Sequence, residues 1–247
     1  MDHIIYTSLS AMRSSLARQT ATANNIANAQ TPGFRADMAE VQALWLRGGA
    51  AESRAPASEE VLAANMTPGT VAATGRPLDV AAEGETMFVV QSEEGEEAYT
   101  RRGDFQLSSS GLLTTGDGRP VIGSGGPITL PPADSISIDA QGRISIVPAG
   151  GDASQPQEVD HLKLVSPKGT DTVKGLDNLF HVRGGGVLPE DPNARVKCGH
   201  LEGSNVSTTQ ALVDMIEASR SWDTQLKLIA DARENDTATA ELMRLPE

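Results

Sequence analysis

What the sequence has little of narrows its class at once. A single cysteine, Cys198, among 247 residues excludes any intrachain disulfide. Eight aromatic residues (four Phe, two Trp, two Tyr) leave few large side chains with which to build a core. Leu, Ile, Val and Phe together number 52 of 247, barely above the ~20% below which chains tend to be disordered. Basic residues are in deficit, with 20 Lys and Arg against 33 Asp and Glu for a net charge of −13. Such a surface repels phosphate backbones and anionic headgroups, so neither nucleic-acid binding nor direct membrane insertion is expected. Apolar runs fall far short of the ~18 residues a membrane helix requires. Asp2 stands where a secretory signal would carry bases, and no apolar segment follows it. The expectation is a soluble acidic chain that carries no cleavable signal peptide.

Recognisable catalytic chemistry is also missing. The sequence has no G-x-S-x-G nucleophile elbow, no Walker A loop and no G-x-G-x-x-G turn. His3, His161, His181 and His200 are scattered, without metal-ligand spacing. Cys198 and His200 could offer two ligands, but no third or fourth stands near them. The acidic cluster Glu93, Glu94, Glu96 and Glu97 lacks the spaced Asp/Asn pattern of a calcium loop and reads as a solvated hairpin tip. No catalytic, cofactor-binding or metal-binding residue is expected, no cofactor, and no enzymatic activity. A hydrolytic or ligand-binding module would instead need a pocket of convergent polar groups within residues 70–200.

The two ends of the chain carry a pattern of their own. Ile5, Leu9, Met12, Leu16, Gln19, Ala23 and Ile26 are spaced 4, 3, 4, 3, 4, 3, the a/d seam of a heptad helix. Leu212, Met215, Ser219, Trp222, Leu226, Ile229 and Arg233 repeat the pattern near the other terminus. Residues 1–34 carry a net +1 and residues 201–247 a net −5, so the two helices are compatible neighbours. The first is rich in Ser, Thr, Ala and Asn, buries little area per residue and is marginal alone. It needs partners. Pro32 ends it, and Pro32-Gly33 supplies a type II turn before the apolar Phe34.

Residues 48–69 read as a linker, with a short helix expected around Glu59–Ala64. From about residue 70 to 200 short alternating runs and turns follow every ten or so residues. Met87–Gln91 and Ala98–Arg101 suggest a hairpin. Ile136 with Ile138, Ile144 with Ile146, and Leu162 with Leu164 suggest further strands. The fold class expected is α+β: a discontinuous, coiled-coil-like helical domain from both termini around a central, mainly antiparallel β domain. Its boundaries are residues 1–35 with 201–247 for the helical part, 36–69 for an extended linker and 70–200 for the β domain.

The segment Ala23-Asn24-Asn25-Ile26-Ala27-Asn28-Ala29-Gln30-Thr31-Pro32-Gly33-Phe34-Arg35 resembles the N-terminal signature of bacterial flagellar rod and hook proteins. The opening Met1–Tyr6 looks most like the proximal-rod members. Thr74–Val80, Tyr99–Phe105, Gly126–Pro131 and Leu201–Val206 are similar to further stretches of that family, in the same order. One departure is Thr86-Met87-Phe88, where family members usually have Gly-Phe-Phe. The resemblance implies a structural subunit of a periplasm-spanning shaft. Its terminal helices would pack near the axis with the β domain outside them. It would leave the cell through the flagellar type III export apparatus, and its partners would be copies of itself and other flagellar rod proteins. The alternative within the family is a distal-rod or hook component. The assembly interface expected from seam and signature together comprises Ile5, Leu9, Met12, Leu16, Ala23, Asn24, Asn25, Ile26, Asn28, Pro32, Gly33, Phe34, Leu212, Met215, Trp222, Leu226 and Ile229. Asn24 and Asn28, four apart, are expected to share one helix face and to set the register between subunits.

Overall fold

The computed structural model describes residues 2–43, 57–151 and 155–242, with side chains described outside 2–7, 39–43, 57–62 and 240–242. Helix α1 spans Asp2–Ala27 and helix α2 spans Thr208–Leu242. Ser207 caps the start of α2: its carbonyl accepts the Ala211 N–H at 2.9 Å and its hydroxyl the Gln210 N–H at 3.4 Å. Strand β1 (Asp37–Ala43) pairs antiparallel with β2 (Ala57–Ala64), and both pack with the helices in one compact unit. The helix expected around Glu59–Ala64 is therefore a strand. Val61 pairs with Ala39 and Glu60 with Glu40, and that ladder overrides the local helical preference of a Glu/Ala-rich stretch.

The second compact unit comprises Asn28–Ala36 and Met66–Asn205. Its first strands are β3 (Val71–Ala73), β4 (Val80–Ala82), β5 (Met87–Gln91), β6 (Glu97–Thr100), β7 (Gln106–Leu107) and β8 (Leu113–Thr114). These are followed by β9 (Ile122–Gly123), β10 (Gly126–Pro127), β11 (Ala133–Ile138), β12 (Arg143–Pro148) and β13 (Gln157–His161). The last are β14 (Leu164–Val165), β15 (Thr172–Lys174), β16 (Phe180–Val182), β17 (Val196–Cys198) and β18 (His200–Glu202). The largest sheet has the order β14-β5-β6-β16-β15, and β11-β12-β13 form a three-stranded meander. β17 and β18 return to pair with β4 and β3, so the last strands of the unit close against its first. All these pairings are antiparallel. The hairpin read from Met87–Gln91 and Ala98–Arg101 is β5–β6, with Val89 opposite Tyr99.

The residues of the N-terminal signature divide at the helix end. Asn28–Ala36, grouped by sequence with the first helix, pack in the second unit. The helix stops at Ala27, and the Phe34 N–H closes the Thr31–Phe34 turn on the Thr31 carbonyl at 3.3 Å. Gly33 holds φ at +67°, as the third position of a type II turn requires.

The core of the β unit is built from small contributions of many strands. Phe88 and Phe105 meet edge to face, with ring centres 5.1 Å apart. Around them lie Val80, Val90, Leu113, Val121, Ile128, Ile144, Leu162, Leu164 and Val196. The unusual Thr86-Met87-Phe88 run is accommodated without exposing either large residue, since Met87 and Phe88 are both fully buried. With so few aromatics the core depends on each of them. Phe88→Ala is expected to destabilise the β unit by ~3–5 kcal/mol in a denaturant titration.

Candidate functional site

Two features of the structure bear on function: the surface of the terminal helices and a buried charge cluster beneath the signature turn. The helices pack side by side through a line in which small residues alternate with larger ones. On α2 the least exposed positions are Ala211, Met215, Ala218, Trp222, Gln225, Ile229 and Ala232, spaced 4, 3, 4, 3, 4, 3. Ser8, Ser15 and Ala21 are buried on α1, and the Ser15 hydroxyl donates to the Ala218 carbonyl at 3.0 Å. The seam expected from sequence shares Met215, Trp222 and Ile229 with this line. Its remaining α2 positions are displaced by one residue, because alanine at 211, 218 and 232 allows closer helix approach than the neighbouring Leu212, Ser219 or Arg233.

Several large apolar residues of both helices nevertheless face outward. Leu9 is 41% exposed, Leu16 52%, Leu212 50%, Ile216 54% and Leu226 45%. Met12 and Ile26 are half-buried and Ala23 is exposed; Ile5 lies among the residues whose side chains are not described. Single exposed leucines are ordinary; here several stand exposed at heptad spacing.

The asparagines have intrachain partners. Asn24 Nδ2 donates to Asp37 Oδ2 at 2.5 Å, while Asn25 donates to the Asp37 carbonyl at 3.0 Å and accepts the Asp37 N–H at 2.7 Å. Asn28 lies one residue past the end of α1, where its Oδ1 accepts the Thr31 hydroxyl at 3.2 Å. Asn28 thus stands just outside α1, and Asp37 was not signalled by any pattern in the sequence. Half-buried Pro32 leads into Phe34, which is buried with the Lys174 ammonium 3.7 Å from its ring centre. Gly33 is packed so closely that a Cβ would collide with the Arg101 backbone.

Beneath that turn lies Glu202, only 1% exposed. Its Oε2 accepts Arg101 Nη2 at 2.6 Å and Nε at 3.0 Å. Its Oε1 takes Arg35 Nη2 at 2.7 Å and the Gly69 N–H at 2.9 Å, and its carbonyl accepts the Gly33 N–H at 2.8 Å. The remaining Arg101 donors reach the carbonyls of Ala82, Gly84 and Thr86 at 2.7–2.8 Å. Arg35 is less well served: its Nε and Nη1 are buried without a hydrogen-bond partner. Burial lowers its pKa, Glu202 opposes that, and the nearby Arg101 adds to the lowering. Asn205 completes the arrangement, its Oδ1 accepting the Ala36 N–H at 2.8 Å and its Nδ2 donating to the Thr67 carbonyl at 2.9 Å. Sequence reasoning quoted Arg35, Arg101, Glu202 and Asn205 within motifs but gave them no role, since 101 residues separate Arg101 from Glu202.

The β unit also holds a cleft of about 300 Å³, lined by Phe34, Arg35, Arg102, Asp117, Arg119 and Asp177 among others. Its charged groups are bound to one another or to close neighbours. Arg102 pairs with Asp104 at 2.6 Å, Arg119 with Asp117 at 3.3 Å, and His181 with Asp177 at 3.2 Å. No cluster of three or more His, Cys, Asp or Glu able to hold a metal occurs among the described residues. Cys198 donates to the Asp139 carbonyl at 3.4 Å, and burial together with Asp139 pushes its thiol pKa up, which suppresses the thiolate.

Comparison with known proteins places these features. Residues 5–35 match the flagella basal body rod protein family, and residues 81–146 the flagellar hook protein FlgE/F/G D1 domain. Residues 198–242 match the flagellar basal body rod FlgEFG protein C-terminal family. The chain is 40% identical over 251 aligned positions to flagellar basal-body rod protein FlgF of Salmonella typhimurium, covering 99% of this chain and 100% of the relative. The chain belongs to the flagellar basal-body rod protein family. FlgF of Escherichia coli is 39% identical with the same coverage. FlgG of Bacillus subtilis, at 30% identity, covers 93% of the chain and 95% of that relative. The rod-family member described here is thus FlgF-like along its whole length. The Arg35–Glu202 pair joins two of the three matched regions, and Arg101, which also binds Glu202, lies in the third.

The unequal satisfaction of the two arginines can be tested. Glu202→Gln leaves both cations buried without a carboxylate and should destabilise the β unit by ~3–5 kcal/mol. Arg35→Met, which removes a cation with two unsatisfied donors and leaves Glu202 its Arg101 pair, should cost clearly less. Urea titration of the two variants side by side measures the difference.

Proposed function

We propose that this chain is a structural subunit of the flagellar basal-body rod in the periplasm, that it polymerises through its terminal helices, and that it turns over no substrate. Its partners in this reading are copies of itself and other rod proteins, and it reaches its place through the flagellar type III export apparatus. The supporting observation is the outward placement of Leu9, Leu16, Leu212, Ile216 and Leu226 on helices that already pair along another face. The residues that the contact within one chain leaves exposed are apolar area still available for burial against neighbours. Repetition of a contact between non-identical faces builds an open filament rather than a closed dimer. The family membership and the full-length similarity to FlgF agree with this reading.

The test is a double substitution on the outward face of α1, Leu9→Glu with Leu16→Glu. Motility and rod assembly should be lost while the β unit keeps its melting temperature, read by differential scanning calorimetry. Normal swimming of a strain carrying this variant as its only copy would overturn the proposed interface.

A further inference from the structure

The outward stripes of the two helices differ in charge as well as position, and the difference selects a partner. On α1 the exposed positions Leu9, Arg13, Leu16, Thr20, Ala23 and Ala27 run at spacings 4, 3, 4, 3, 4. On α2 the exposed positions Leu212, Ile216, Ser219, Asp223, Leu226, Ala230 and Arg233 run at 4, 3, 4, 3, 4, 3. Both are heptad stripes, and both lie beside, not on, the line through which the helices pair within one chain. The only charge on the α1 stripe is the cation Arg13, flanked by Leu9 and Leu16. At the middle of the α2 stripe stands the anion Asp223, flanked by Ser219 and Leu226. Neither Arg13 nor Asp223 has an ion-pair partner among the described residues.

We propose that the α1 stripe centred on Arg13 docks onto the α2 stripe of a second copy of this chain, with Arg13 paired to Asp223. This rests on the reading of the chain as a polymerising subunit and specifies which faces meet. An α1–α1 contact about this stripe would bring Arg13 against Arg13, and a symmetric α2–α2 contact would bring Asp223 against Asp223. Like charges across a helix seam are unfavourable, so the mixed contact is selected. The leucines flanking the pair exclude water from it, which strengthens an interaction that is weak when fully exposed. The contact is heterologous, since each copy offers an α1 stripe to one neighbour and an α2 stripe to another, and it therefore propagates.

The experiment compares sedimentable polymer formed by the purified full-length chain, by Arg13→Glu, by Asp223→Arg and by the double variant with both changes. Circular dichroism confirms equal helix content beforehand. Each single variant should raise the concentration needed for assembly by about tenfold, and the double variant should return it to within about threefold of the original. Single variants that assemble like the original, or a double variant no better than the singles, overturn the pairing. A wild-type chain that stays monomeric throughout overturns a second copy as the occupant. The broader reading as a rod subunit fails separately, if a strain lacking the chain swims normally.

Discussion

A carboxylate taken out of water has to be matched on nearly every lone pair, and Glu202 organises the β unit around that requirement. Its two oxygens and its backbone carbonyl gather donors from Gly33, Arg35, Gly69 and Arg101. Those residues belong to stretches far apart in the chain, so the ion cluster can form only when the first and last strands of the unit have closed on each other. Two guanidiniums against one carboxylate leave a positive charge in excess, and it falls on Arg35, whose remaining donors are unmatched. Such a cluster contributes less net stability than an apolar core of the same volume, yet it tolerates few alternatives. Specificity of chain path, more than strength, is what it supplies.

The terminal helices follow an opposite logic. Their mutual contact mixes alanine and serine with Met215, Trp222 and Ile229, and Ser15 is placed on the Ala218 carbonyl. Leu9, Leu16, Leu212, Ile216 and Leu226, by contrast, stay on the outside. In a chain that stays monomeric this would be an aggregation hazard; in the subunit reading proposed above it would serve as the contact surface.

Much of this was legible from residue spacing. The period of 3.5 at both termini, the Pro32-Gly33 turn, the β5–β6 hairpin and the mainly antiparallel character of residues 70–200 follow from local patterns, which is why they survive into the structure. The strand at Ala57–Ala64 did not, because a Glu/Ala-rich run has no alternation to announce it, and only its partner Asp37–Ala43 makes it extended. The seam on α2 was displaced by one position for a related reason. Hydrophobic periodicity favours the larger of two neighbouring residues, whereas the buried line takes alanine at 211, 218 and 232.

The sequence by itself determined the class of the molecule: acidic, poor in aromatics, helical at both ends, short-stranded between, and similar in its motifs to flagellar rod and hook proteins. Tertiary structure decided which faces of those helices are free, that Asn24 and Asn25 are bound to Asp37, and that Arg35, Arg101 and Glu202 share one buried site. The division has a physical cause. Periodicity and turn chemistry are properties of neighbours along the chain, while a buried ion pair or a choice between two adjacent helix faces depends on residues a hundred or two hundred positions away.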